Sequence, residues 1–166
     1  MKNMFNNCKK LTSLDLSNFD LSEVYNTDHM FSGCSSLEYL KLSPKFQSSD
    51  LGFMSYMFYG CRSLKSLDLS FFDTSNILFM DHAFEGCESL TSLDFSNSKT
   101  SRARNMKNMF ANCTSLTSLN LQYWYTTHIE RNLEGVLSIC KNLTLSIHKD
   151  QCKNLPIPDY LKVNGL

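Results

Sequence analysis

Six of the seven cysteines recur at an almost constant interval along the chain. They are Cys8, Cys34, Cys61, Cys87, Cys113 and Cys140, and the sequence number rises by either 26 or 27 from each to the next. A fixed period of this length is typical of repeat proteins, in which each unit is stable only beside its neighbours. The chain is therefore predicted to stack similar units rather than to fold around one globular core.

The segment before each cysteine carries a helix-like pattern. Apolar residues within Met54–Cys61 follow the i, i+3, i+4, i+7 spacing of one helical face. The residue before each of the first five cysteines is Asn or Gly, the types that most easily take the left-handed conformation at a helix end. The pattern predicts a short helix in each unit.

The segment after each cysteine alternates apolar and polar residues. Leu11–Ser17 reads LTSLDLS and Leu64–Ser70 reads LKSLDLS, which is the period of a short strand. One unit cannot bury its own apolar side, so successive strands are expected to pair in parallel about 4.8 Å apart. We predict an α/β repeat protein, a right-handed solenoid of five to six turns with a parallel β-sheet on one face and short helices on the other.

One unit resembles a known repeat. Met57–Ser75 reads MFYGCRSLKSLDLSFFDTS and is similar to the 26-residue leucine-rich repeat of BspA-like bacterial surface proteins, a resemblance that extends over residues 1 to about 147. It implies a leucine-rich-repeat solenoid that is usually part of a longer exported or lipid-anchored protein. Members of that family are regarded as adhesins or protein-binding modules.

The organisation of the chain follows from where the pattern starts and fades. Met1 occupies the position of Met54 in its unit, so the chain opens inside a repeat and is expected to be a fragment of a longer array. We predict the solenoid over 1–140 and a C-terminal cap over 141–166, within one domain. The resemblance implies a cell-surface or extracellular location. The cytoplasm is the alternative, because residues 1–10 do not look like a secretion signal.

The charges are balanced in number but not in position. The 16 Lys and Arg residues equal the 16 Asp and Glu residues, which argues against a nucleic-acid partner. Residues 1–98 carry 7 basic against 12 acidic side chains, and residues 99–166 carry 9 against 4. Such an asymmetry can steer association. An uncapped first turn would also allow two copies to associate end to end. No apolar run reaches the roughly 20 residues that a membrane span needs.

The residue pattern favours no catalytic or metal chemistry. A zinc site needs four converging ligands, normally from paired C-x-x-C spacings, whereas these cysteines occur once per unit. They are predicted to be reduced core residues, with Cys140 and Cys152 as the one candidate disulfide. His29 and His82 are interpreted as exposed helix residues. We expect no enzyme and no cofactor; the enzymatic alternative is a site in the tail around His128, Glu130, Glu134 and His148.

Two surfaces are candidates for partner binding. The first is the outward face of the sheet, where two polar rows are predicted: Ser13, Tyr39, Ser66, Ser92 and Ser118, and beside them Asp15, Lys41, Asp68, Asp94 and Asn120. Solenoids bind partners on such faces, although the same residues could serve only solubility.

The second surface is a basic edge. Asn97–Asn105 reads NSKTSRARN where Phe71–Phe79 reads FFDTSNILF. These substitutions introduce Lys99, Arg102 and Arg104, and Lys107 follows two residues after the segment. The four cations are predicted to lie together on one edge. They suit an acidic protein, a sulfated glycan or the acidic end of another copy, and the alternative is a solvated loop.

The leading hypothesis is a non-enzymatic module for adhesion or protein–protein interaction in a bacterial surface protein, with an unidentified protein or glycan ligand. The alternatives are a rigid spacer and an intracellular protein-binding repeat domain.

Overall fold

Each repeat places a short stretch of alternating sequence on the same side of the molecule. In the computed structural model, which describes residues 1–46, 51–129, 132–148, 150 and 152–165, these stretches build a parallel β-solenoid of about five turns. The strands are β1 Ser13–Asp15, β2 Tyr39–Lys41, β3 Ser92–Asp94, β4 Ser118–Leu121, β5 Thr144–Ile147 and β6 Lys162–Gly165. The predicted solenoid with a parallel sheet is confirmed.

The strand register reproduces the sequence period. Leu14 pairs with Leu40, and Leu93 pairs with Leu119, so each leucine lies beside its counterpart in the next repeat. β5 continues this register, and β6 pairs in parallel with β5. Two strands of the sheet therefore come from residues 141–166, the predicted cap; the domain boundary at residue 140 remains a prediction.

The sheet is divided in the third unit. β1 and β2 form one sheet, and β3 to β6 form another. Between them, Ser66–Leu69 keeps the alternating pattern and buries Leu67 and Leu69, but no backbone hydrogen bond between described residues joins it to β2 or β3. The side chains in this unit thus occupy the expected positions, but the segment lacks the expected backbone hydrogen bonds to described residues of the neighbouring strands.

The predicted helices are wrong for the described part of the chain, where the segments before the cysteines are series of turns. In Thr27–Cys34, alternate N–H groups donate to the carbonyl three residues earlier, at 3.0–3.2 Å. The N–H groups between them donate to carbonyls of the next coil, at 2.7–3.0 Å. An α-helix would direct all of these groups to the carbonyl four residues back, so the segment is a turn ribbon that hydrogen-bonds to its neighbour.

Left-handed residues explain why a helix cannot form there. His29 and Gly33 have φ of 55° and 73°, and Tyr56 and Gly60 have φ of 59° and 67°. Each turn ribbon thus contains two such residues four positions apart, whereas every helical residue has a negative φ. The apolar spacing that suggests a helix is equally satisfied by a turn ribbon that faces the core.

The core consists of columns of identical residues. The rings of Phe5, Phe31, Phe58, Phe84 and Phe110 stack in sequence with centroids 5.1–5.7 Å apart. The Trp124 ring packs against Phe95 and against Phe110, the last ring of this column. Each ring is thus covered by its counterpart in the next coil, as the stacking of repeats requires.

The buried cysteines form a second column with its own hydrogen bonds. The thiol of each donates to the carbonyl of the column phenylalanine in the preceding coil, at 3.0–3.2 Å, for Cys34, Cys61, Cys87, Cys113 and Cys140. Burial raises the pKa of the Cys34 and Cys140 thiols to about 11. All seven cysteines are free, so the candidate disulfide is wrong: the Cys152 thiol donates to the Trp124 carbonyl instead.

Candidate binding surfaces

The two predicted polar rows lie on the outward face of the sheets. Ser13 aligns with Tyr39 and Asp15 with Lys41; in the second sheet, Ser92 aligns with Ser118 and Asp94 with Asn120. Ser66 and Asp68 are exposed in the segment between the two sheets. The structure therefore brings the ten residues to one side of the solenoid, in the order predicted from the sequence.

Most residues of the second polar row close the turns that follow the strand segments. The side-chain oxygens of Asp15, Asp68, Asp94 and Asn120 each accept the backbone N–H two residues later, at 2.7–3.2 Å. The hydrogen bonds from Ser17 lower the pKa of Asp15, and those from Ser70 lower the pKa of Asp68. These side chains direct the chain away from the strand at the corner of each coil, which gives the row a structural role.

The interrupted sheet leaves a shallow cleft on the same face. It has a volume of about 420 Å³ and lies between β2 and the Ser66–Leu69 segment. Tyr39 and Phe71 contribute apolar surface, and Lys41 and Asp68 contribute opposite charges. The cleft combines no set of groups that would select one ligand chemistry.

The four cations of the basic edge are all exposed on one coil. None forms a salt bridge with a described residue, whereas Lys41, Arg62 and Lys65 each pair with a carboxylate of a neighbouring coil. The Arg102 guanidinium donates to the Asn76 side-chain oxygen at 3.0 Å, which holds this arginine toward the preceding coil. The edge therefore carries cations that no described acidic side chain neutralises.

A groove of about 520 Å³ opens beside this edge. It is lined by Leu78, Ser101, Arg102, Ala103, Arg104, His128, Ile129 and Asn132. The His128 ring nitrogen Nε2 lies 3.0 Å from the Ala103 carbonyl, and the Asn132 amide donates to the Arg104 carbonyl at 3.4 Å. The residues that line the groove thus include two arginines, a histidine and an asparagine together with the apolar Leu78, Ala103 and Ile129.

An apolar row formed by Tyr25, Phe53, Leu78 and Phe79 adjoins the groove, and it was not predicted from the sequence. The rings of Phe53 and Phe79 are half-buried and stack at 5.6 Å, in parallel bridges that connect Asn26, Phe53, Phe79 and Asn105. Tyr25 is 66% exposed and Leu78 is half-buried. The sequence does contain a signal for this row, because two units carry Phe at a position where the aligned units carry Asn.

The predicted exposed histidines instead belong to a stack on the turn ribbons. The Tyr56 ring lies between the rings of His29 and His82, with centroids 4.7 and 4.4 Å apart. Glu85 contacts the His82 ring nitrogen Nδ1. The interpretation of these residues as exposed helix positions is wrong, because the turn ribbon aligns the three rings and half-buries them.

The residues of the enzymatic alternative have separate surroundings. His128 lines the groove, Glu134 is exposed, and the His148 ring nitrogen Nδ1 is buried with no hydrogen-bond partner in the described part of the chain. Glu130 lies outside the described residues. Among the side chains that are described, no group of three or more His, Cys, Asp or Glu residues is arranged to hold a metal ion. Nor does that part of the chain contain a helix suited to crossing a membrane.

Comparison with known families gives one match. The model of a family described as "Mycoplasma protein of unknown function, DUF285" matches residues 1–65 and 42–150, which together include most of the chain. The two matches overlap, as expected when repeated units allow one model to align more than once. No curated protein matches the sequence.

Proposed function

The chain belongs to the DUF285 family, and we propose that it is a non-enzymatic binding module that holds an acidic partner on its basic edge. The resemblance of its units to the leucine-rich repeats of BspA-like adhesins supports a role in adhesion or protein–protein interaction. It also supports a place at the cell surface for the protein to which these repeats belong.

The observation that carries the proposal is the unpaired charge on the basic edge. Lys99, Arg102, Arg104 and Lys107 are exposed on one short segment of one coil, and no described carboxylate forms a salt bridge with them. Like charges held close together repel, and an anionic ligand would relieve that repulsion. A partner that supplies carboxylates or sulfates is therefore complementary to this surface.

The residue types at the groove suit an anion that is held in a defined orientation. A guanidinium group binds a carboxylate or a sulfate through two parallel hydrogen bonds, which an ammonium group cannot do. Arg102 and Arg104 both line the groove, together with Leu78 of the preceding coil. The basic edge can therefore orient a ligand as well as attract it.

A rigid spacer is the second candidate. The continuous column of phenylalanine rings and the hydrogen bonds between successive turn ribbons favour a stiff rod. A rod of this kind could present a distant domain without binding anything itself. The charge-reversal experiment that follows separates the two candidates.

The test measures binding of two defined polyanions, fluorescent polyglutamate and dextran sulfate, at low ionic strength. The variant K99E/R102E/R104E should bind at least one of them about tenfold more weakly than the wild-type chain, a change of roughly 1.4 kcal/mol. The wild-type affinity should also fall as salt is added, because exposed charges are screened.

The matched control is K9E/K10E/K141E, which makes the same change in net charge at three exposed lysines that form no salt bridge with a described residue. It should retain most of the binding. Equal losses in the two variants would show that only net charge matters. Absence of binding by the wild-type chain would favour the spacer.

A further inference from the structure

We propose that the basic edge and the apolar row beside it recognise an acidic peptide segment that carries one large apolar side chain, which fits into a notch at Gly52. This inference rests on the proposed function and names the class of its ligand. Four positions align on successive coils, Gly52 leaves a space among them, and the last of the four is Arg104 of the basic edge.

The four positions are the ninth residue before each cysteine. Tyr25, Gly52, Leu78 and Arg104 occupy this place in consecutive coils. Backbone hydrogen bonds connect them in order: Gly52 N–H to the Tyr25 carbonyl at 3.1 Å, Leu78 N–H to the Gly52 carbonyl at 2.9 Å, and Arg104 N–H to the Leu78 carbonyl at 2.8 Å. They therefore form a continuous row along the solenoid that passes from apolar to basic.

Gly52 leaves a gap in this row. A Cβ atom added at Gly52 would meet no atom of a described residue within 4 Å. The residue is not among those with positive φ, so its backbone does not demand glycine. The exposed Tyr25 ring precedes the gap and Leu78 follows it. Phe53 is the next residue after Gly52, and its ring stacks on the ring of Phe79, the residue after Leu78. The notch is thus open and has apolar neighbours.

The spacing between the notch and the cations defines the ligand further. Two coil steps separate Gly52 from Arg104, which corresponds to roughly 10 Å at about 4.8 Å a step. An extended peptide advances about 3.3 Å a residue, so roughly three residues cover that distance. A segment with an apolar residue about three positions from an acidic pair would place its apolar side chain in the notch and its carboxylates at Arg102 and Arg104.

The apolar component favours a peptide over a sulfated polysaccharide. A polysaccharide would satisfy the cations but offers no large apolar side chain for the notch. Contiguous exposed apolar surface, with a charged margin, is typical of sites where proteins bind proteins. The composite surface therefore matches a ligand that provides both kinds of group.

The experiment compares two synthetic peptides in neutral flanking sequence, one with Trp-Ser-Ser-Glu-Glu and one with Ser in place of Trp. The wild-type chain should bind the Trp peptide about tenfold more tightly. The variant Gly52→Leu fills the notch and should remove this preference while polyglutamate binding stays unchanged. Arg102→Glu with Arg104→Glu should weaken both peptides equally.

Two further variants guard against effects on folding. Ser115→Leu adds the same side chain to an exposed position outside both candidate surfaces and should leave the preference intact. Tyr25→Ser removes an exposed ring and should reduce the preference even if Gly52→Leu does not fold; the melting temperature of each variant reports folding.

Each outcome bears on one of the two proposals. Equal binding of both peptides by the wild-type chain, or a preference that survives in Gly52→Leu and in Tyr25→Ser, would overturn the notch and leave the polyanion site intact. Binding of dextran sulfate with no detectable binding of the Trp peptide would identify a glycan site and overturn the peptide assignment. Failure to bind any polyanion would overturn both proposals.

Discussion

The cysteines show at the scale of single residues how one side chain can serve a repeat. Each thiol in the column is small enough to pack inside a coil and donates a hydrogen bond to the coil before it. Burial raises the pKa of these thiols because the thiolate would lose its hydration. Reactive cysteines have the opposite character, a lowered pKa and exposure.

Thiol labelling checks this description. At pH 8 a water-soluble disulfide reagent should react rapidly with the exposed Cys8 alone, and all seven thiols should react in denaturant. Cys8→Ser should remove the rapid phase. A second rapid thiol in the native protein, or fewer than seven in denaturant, would contradict the free and buried column.

The phenylalanine column makes a prediction about stability. Phe58 is 1% exposed and stacks on Phe31 and Phe84. Phe58→Ala should lower the free energy of unfolding by about 3–5 kcal/mol, because it leaves a cavity between two rings. The neighbouring Tyr59 is 40% exposed, so Tyr59→Ala is the control. A loss below about 1 kcal/mol for Phe58→Ala in urea unfolding would contradict the stacked core.

At the scale of elements, the turn ribbon replaces the helix that the sequence suggests. Its left-handed positions carry His29, Tyr56 and His82 as well as glycine and asparagine. This conformation is costly for a bulky side chain. The stacking of the three rings offsets part of that cost, since aromatic pairs contribute roughly 0.5–1.5 kcal/mol beyond burial.

Two glycines separate the effect of conformation from the effect of space. Neither would place a Cβ within 4 Å of an atom in the described part of the chain, but Gly60 has a φ of 67° and Gly52 is not left-handed. Gly60→Ala should destabilise the protein by about 1–2 kcal/mol. Gly52→Ala should be neutral or stabilise it by up to about 1 kcal/mol. Equal effects in thermal unfolding would refute the turn geometry.

At the scale of the whole molecule, stacking converts chain order into position along the solenoid. The acidic excess in residues 1–98 and the basic excess in residues 99–166 thus become a separation of charge along the axis. The proposed binding edge lies on the first coil of the basic part. An acidic partner would be attracted toward that end before it makes contact.

Carboxylates distributed over several coils predict how the whole molecule responds to acid. Hydrogen bonds from the residues two positions later lower the pKa of Asp15, Asp20 and Asp68, and Lys65 lowers that of Glu38. A lowered pKa in the folded state adds stability above the ordinary value near 4, and that stability is lost as the pH falls below it. The free energy of unfolding should therefore decrease between about pH 5 and pH 3.

The substitution Asp68→Asn tests the origin of this decrease. Asn120 closes the same turn without a charge, so asparagine should preserve the fold. The variant should lose less stability on acidification than the wild-type chain. An unchanged pH dependence would show that the turn carboxylate at position 68 does not contribute.

The period of the chain and the inward side of each unit were predictable from the amino acids alone. Cysteine, phenylalanine and leucine recur at matching positions of successive repeats, and only stacked coils can cover such a pattern. The basic edge was also predictable, because charged residues replace the template there. Local composition is sufficient for both inferences.

The tertiary structure decided which backbone groups pair between coils, and with that the turn ribbons, the break in the sheet and the notch at Gly52. A helix and a turn ribbon place apolar residues at the same spacing. In the turn ribbon, however, alternate N–H groups bond to the next coil and two residues are left-handed. The neighbours of Gly52 and Arg104 come from coils a full repeat away in the sequence. Sequence order does not reveal such contacts, because they exist only when one coil lies on another.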